Sequence, residues 1–134
     1  MSKYLLDTNV ISELARKVPN SSVIEFFESL DEITISVITI EEIEFGIERV
    51  PTNQKKYLWK WWSALLSLPP IVLSVDEKIA KLAGNLRAKQ ESKGKSRTQA
   101  DMLIAATAIT NGLILVTRNT KDFSECGVSV LNPF

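Results

Sequence analysis

Gln99-Ala100-Asp101-Met102-Leu103-Ile104-Ala105-Ala106-Thr107-Ala108-Ile109-Thr110-Asn111-Gly112-Leu113-Ile114-Leu115-Val116 carries the reading of the fold. Gln99 to Thr110 predicts a helix. Asn111-Gly112 predicts its C-cap, because Gly enters the left-handed conformation that ends helices. Leu113 to Val116 then predicts a strand. This strand has no polar alternation, so both of its faces are to be covered, as in a parallel sheet.

The same alternation repeats on either side of this stretch. Tyr4-Leu5-Leu6 predicts a strand that ends in Asp7-Thr8-Asn9. A helix follows from Thr8 to Lys17, stopped by Pro19. Asn20-Ser21-Ser22 predicts the cap of a second helix, Val23 to Leu30, with Val23, Phe26, Phe27 and Leu30 on one face. Ile33 to Val37 is β-branched and predicts a buried strand. Thr39 begins a helix over Ile40 to Arg49, ended by Pro51. Lys55 to Leu68 predicts a further helix, and Ile71 to Ser74 a third strand. Asp76 caps a helix to about Gln90, and the polar stretch Glu91 to Arg97 reads as a loop. Val128 to Leu131 predicts a fifth strand. Strands alternating with helices, without period-2 polarity, predict a three-layer α/β/α domain with a mostly parallel sheet.

The 134 residues are the size of one domain, expected over 1–134. Apolar residues make up 45% and charged residues 24%, a globular balance. The apolar run Met102 to Ala108 is far too short to span a bilayer. Asp7 interrupts the first apolar run, so no signal-peptide pattern is seen, and a cytoplasmic location is expected. Cys126 is the single cysteine, which excludes an intrachain disulfide. There is no His, which removes His-based triads and nearly all zinc chemistry. Sixteen basic and sixteen acidic residues cancel, so nucleic-acid binding would need a local basic patch.

In parallel sheets, ligands bind outside the carboxyl ends of the strands. Asp7 follows the first strand, Glu42 comes shortly after the second, Asp101 begins the helix before the fourth, and Asp122 follows the fourth. Each has a structural reading. Asp7 and Asp122 are placed as caps, and Thr39 with Glu42 has the spacing of a capping box, as does Thr98 with Asp101. Capping and catalysis are compatible, because a helix N-terminus favours a carboxylate in either role. Converging carboxylates repel by several kcal/mol at an effective dielectric of about 20, so such a cluster needs protons or a cation. Carboxylate donors without His or Cys suit Mg2+ or Mn2+.

These stretches also resemble a known family. Tyr4-Leu5-Leu6-Asp7-Thr8-Asn9-Val10-Ile11-Ser12-Glu13-Leu14 is similar to the opening of PIN-domain nucleases. Ser36 to Ile47, with Glu42 in the acidic position, resembles their second motif. Asp101 to Ala108 resembles the third, and Leu115 to Phe123 the fourth. The resemblance runs over essentially the whole chain and is nearest to the VapC and FitB-like toxins of toxin–antitoxin pairs. It implies a toxic, Mg2+-dependent endoribonuclease that acts on RNA, forms a homodimer and is neutralised by a VapB-like antitoxin. It implies Asp7 and Asp101 as metal ligands, Glu42 as a third acid at the metal or its waters, and Asp122 as the fourth catalytic acid. Many relatives have an acid directly after the Arg of the fourth motif. Here that residue is Asn119, which puts a second metal ion in doubt.

Arg118, Asn119, Thr117, Lys95 and Arg97 are the expected substrate contacts. Trp59, Trp61 and Trp62 crowd one helix, which predicts burial of more than one helix face and a protein interface. The rival readings are a housekeeping PIN nuclease without antitoxin and a receiver-like Mg2+-binding signalling domain. The latter needs paired acids after the first strand, where only Asp7 stands.

Overall fold

A computed structural model describes residues 2–134. In chain order its elements are β1 (Tyr4–Leu6), α1 (Thr8–Glu13), α2 (Ser21–Glu28), β2 (Thr34–Ser36), α3 (Val37–Glu48) and α4 (Thr52–Leu66). They continue with β3 (Ile71–Leu73), α5 (Glu77–Ser92), α6 (Gln99–Thr110), β4 (Ile114–Val116), α7 (Thr120–Ser124) and β5 (Val130–Leu131). All strand pairs are parallel. β4 lies between β1 and β5, with Leu5 opposite Leu115 and Leu6 opposite Val116. β2 pairs with β3, and β2 packs beside β1.

Successive strand residues point to opposite faces, and here they feed two cores. Leu5 and Leu115 join Ile79, Ala83, Met102 and Ala105 from α5 and α6 on one side. Leu6, Ile35 and Val116 join Val10, Ile11, Val23, Ile43 and Trp62 from α1–α4 on the other. These are the expected three layers. The continuous apolar character of β4 is explained by this double burial.

The boundaries differ from the sequence expectation in instructive places. α1 ends at Glu13 rather than Lys17. Its last turns tighten through bonds from Ala15 N–H to Ser12 O and from Arg16 N–H to Glu13 O. The buried Glu13 carboxylate then receives the Asn20 N–H at 2.8 Å, folding the chain back. α3 begins at Val37, with Ser36 as its N-cap accepting from the Ile38 N–H at 3.0 Å. The expected capping box of Thr39 and Glu42 is therefore wrong: Thr39 lies inside the helix and is fully buried. α5 runs into the expected loop as far as Ser92, and Gly94 turns the chain with φ 76°. The short α7 was not expected. Thr98 does cap α6, accepting from the Asp101 N–H at 3.1 Å. Gly112 takes φ 64° just past the end of that helix, as its C-cap role requires.

Candidate active site

Asp7 leaves the carboxyl end of β1 and caps α1. Its Oδ1 accepts the Thr8 N–H at 2.8 Å, and its Oδ2 accepts the Thr117 hydroxyl at 2.8 Å and the Asn9 amide at 3.3 Å. It is 4% exposed. Burial pushes its carboxyl up from 3.8 to about 6; the bonds from Thr117 and Thr8 oppose this, and the charges of Asp101 and Glu42 add to it. Glu42 reaches the same place from the second turn of α3, where its Oε1 accepts the Thr8 hydroxyl at 2.6 Å. The Thr8 hydroxyl also lies 3.0 Å from that of Thr39, so Thr39 supports Thr8 rather than capping its own helix. Asp101 comes from the first turn of α6. Burial raises its carboxyl too, with Thr98 and Arg97 pulling it down and Asp122 adding to the rise.

Asp7, Glu42 and Asp101 line one open pocket with Thr8, Asn9, Ser12, Glu13 and Arg16. Three carboxylates far apart in sequence thus meet where strand ends and helix N-termini coincide. Among the described residues, no three Asp, Glu, Cys or His side chains are arranged to hold one ion. The donor set still fits a hard cation that takes one or two carboxylates and keeps its waters. All the donors are oxygens, and Asp7 is buried near the like charges of Asp101 and Glu42, its bonds among the described residues coming from Thr8, Asn9 and Thr117.

The other expected site residues are placed differently. Thr117 is fully buried, and its hydroxyl is committed to Asp7, so it orients that carboxylate. Asn119 donates its N–H to Thr117 Oγ1 at 3.0 Å and opens α7. Arg118 is exposed, with its guanidinium 4.3 Å from the Phe134 ring centre. Asp122 is outside the acidic pocket and accepts from Arg97 Nη1 at 3.1 Å. Lys95 pairs with Glu125. Lys95 and Arg97 are therefore paired with the carboxylates of Glu125 and Asp122.

Sequence reasoning missed Asn9 and Thr8 as site residues. Asn9 bonds Asp7, bonds Thr117 Oγ1 at 3.2 Å and receives the Arg118 N–H at 3.2 Å. The available signal was three polar side chains, Asp7-Thr8-Asn9, placed directly after an apolar strand.

Next to the acidic pocket lies an apolar recess lined by Ala15, Ile43, Gly46, Ile47, Leu58 and Trp61. Ser12, Arg16 and Glu42 border both. The three tryptophans pack against one core, contrary to the sequence expectation. Trp62 is buried and donates Nε1–H to Glu44 at 2.6 Å, while Trp59 and Trp61 flank it at the rim. Only Trp61 lines the recess. No helix among the described residues is long and apolar enough to cross a membrane.

Residues 4–128 match the PIN domain family. The chain is 35% identical to Toxin FitB of Neisseria gonorrhoeae over 97% of each protein. It is 31% identical to VapC ribonuclease Y4jK of Sinorhizobium fredii, over 97% of this chain and 96% of that protein. The fold is also similar to that in the structure of DNA-bound VapBC from Salmonella typhimurium, with a TM-score of 0.86, 27% identity and full coverage of both chains.

Proposed function

Because this chain belongs to the PIN-domain family, we propose that it is the endoribonuclease toxin of a type II toxin–antitoxin pair, using Mg2+ or its close mimic Mn2+. The observation that carries this reading is the meeting of Asp7, Glu42 and Asp101 in one pocket, with Asp7 pushed up to about 6. Relatives named as a VapC ribonuclease and as a toxin, and a similar fold solved as VapBC, support the substrate class and the partner. Bound between Asp7 and Asp101, the cation would neutralise the scissile phosphate and acidify an attacking water.

The chain's own residues do the rest. Thr117, Asn9 and the Thr8 amide hold Asp7 in one orientation. Glu42, steadied by the Thr8 hydroxyl, lines the same pocket, which supports it as the group that takes the proton of the attacking water. The water oxygen bonds to phosphorus in line, the bond to the 3′-oxygen breaks, and that oxygen is protonated from solvent. The product carries a 5′-phosphate. Asp122 stands outside the pocket, paired with Arg97, and its charge adds to the rise of the Asp101 carboxyl.

We assign the apolar recess between α1, α3 and α4 to the antitoxin, because its border of Ser12, Arg16 and Glu42 is shared with the acidic pocket and a partner seated there would cover one side of it. Leu68, Ile71 and Val72, at and just before β3, are among the exposed apolar side chains that pairing with a second copy would cover. The test of the reading is expression of wild type, Asp7→Asn and Asp101→Asn, with mapping of cellular RNA 5′ ends. Wild type should create new 5′-phosphate ends, and each variant should lose about a hundredfold or more of cleavage. Growth arrest without new ends sinks the ribonuclease reading. Full cleavage by either variant sinks the assignment of its carboxylate.

A further inference from the structure

The positive charges nearest Asp101 do not lie free on the surface. The Arg97 side chain is only 18% exposed. Its Nε is buried without a hydrogen-bond partner among the described residues. Its Nη1 donates to Asp122 Oδ1 at 3.1 Å, and its Nη2 stands 3.9 Å from Glu125 Oε2. Lys95 pairs with the same Glu125 carboxylate, which these cations hold below the usual carboxylate range. Sinking a guanidinium this far and leaving one N–H unpaired costs free energy, which the contacts to α7 offset. A side chain serving only to meet RNA phosphates has no reason to be desolvated in this way.

The Arg97–Asp122 pair joins two segments that both end in the acidic pocket. On the α7 side, the Asp122 N–H donates to Asn119 O at 3.1 Å. The Asn119 N–H donates to Thr117 Oγ1, and the Thr117 hydroxyl donates to Asp7. On the other side, Arg97 directly precedes Thr98, whose Oγ1 accepts the Asp101 N–H. A path of protein groups therefore runs from Asp7 to Asp101, and the Arg97–Asp122 contact closes it. The same contact balances the charge beside Asp101, where Asp122 pushes the carboxyl up and Arg97 draws it down.

We infer that Arg97 is a positioning residue of the nuclease site, latching α7 to the α5–α6 connection through Asp122 and Glu125 and so fixing Asp101 relative to Asp7. This rests on the ribonuclease reading above. It moves Arg97 from the expected substrate contacts to a carboxylate partner, and Asp122 from the expected catalytic acids to the latch.

The experiment compares wild type, Arg97→Gln, Arg97→Lys, Asp122→Asn and the double variant Arg97→Gln/Asp122→Asn. It measures kcat and KM on a defined RNA with Mg2+, and amide hydrogen exchange without metal. Arg97→Gln should lower kcat about tenfold or more through misplacement of Asp101. Its KM should stay within about twofold. Exchange of the Asp101 and Asn119 amides should quicken. Adding Asp122→Asn should recover kcat toward the value of Asp122→Asn alone, because paired residues are not additive. Arg97→Lys keeps the charge without the two-pronged geometry and should fall between wild type and Arg97→Gln.

A raised KM with unchanged kcat, equal in both Asp122 backgrounds, would make Arg97 a substrate contact and overturn the latch. Loss of cleavage in Asp122→Asn as deep as in Asp7→Asn would return Asp122 to catalysis and overturn it too. If Arg97→Gln does not fold, Arg97→Lys and Asp122→Asn make the same comparison. If wild type cleaves no RNA, the ribonuclease reading falls, and unchanged exchange at Asp101 still decides against the latch.

Discussion

Asp7 faces two opposed demands. Its position at the end of β1 buries it, and burial favours the neutral acid; a cation needs it ionised. Between about pH 4 and 6 the folded chain holds a proton on Asp7 that the unfolded chain has released. The stability from the neutral acid is therefore present below its unfolded value of 3.8 and is lost as pH rises through about 6. The loss is on the order of 3 kcal/mol for this group in metal-free protein. Urea unfolding at pH 5 and pH 7.5 should show the part lost above pH 5, about 1.4 kcal/mol; Mg2+ should relieve it at the higher pH, and Asp7→Asn should flatten it. A metal-free Asp7→Asn protein with the wild-type pH slope contradicts the account. Asp101 is shifted in the same direction and adds to the trend with the same sign.

At the scale of single elements, two helix caps look alike in sequence and do different work. Ser36 caps α3 and Thr98 caps α6. Replacing either with Ala should cost about 1 kcal/mol in thermal or chemical unfolding. Thr98→Ala should also slow cleavage, by about tenfold, because the bond by which Thr98 caps its helix is made to Asp101 itself. Ser36→Ala should leave cleavage nearly untouched, because Glu42 is steadied by Thr8 rather than by the cap. Equal loss of cleavage in the two variants would mean that α3 is held by its cap after all. Sequence spacing pointed to Thr39, not Ser36, as the start of α3. The pattern Ser-x-x-Thr competes with Thr-x-x-Glu only one turn away, and both are good caps. Burial of Thr39 against Thr8 decides between them.

Across the whole molecule, the acidic pocket and the apolar recess share a border on α1 and α3. A partner seated in the recess therefore obstructs access to Asp7 and Glu42. Gly46 lines this recess, and a Cβ built on it meets nothing within 4 Å. Gly46→Leu should be accommodated, even favoured by about 0.5–1 kcal/mol through helix propensity. It should fill the recess and weaken antitoxin binding by about tenfold or more in a calorimetric titration. Cleavage by the free protein, which depends on the carboxylates, is the control in that measurement. Unchanged antitoxin affinity would move the docking surface elsewhere.

The chain by itself determined the order of elements and the places of the acids. Helix and strand periodicity are properties of the local backbone, so α6, its Asn111-Gly112 cap and the doubly buried β4 were legible from composition and spacing. Asp7, Glu42 and Asp101 were legible because strand ends in parallel sheets are known places for sites. Which side chains bond to one another was set by the packing of the elements. Arg97 and Asp122 are 25 residues apart, and Asp7 and Thr117 are 110 apart. Such partners depend on where the sheet brings its loops, and no local pattern encodes that. For the same reason Lys95 and Arg97 read as phosphate contacts in sequence, whereas in the fold they pair with Glu125 and Asp122.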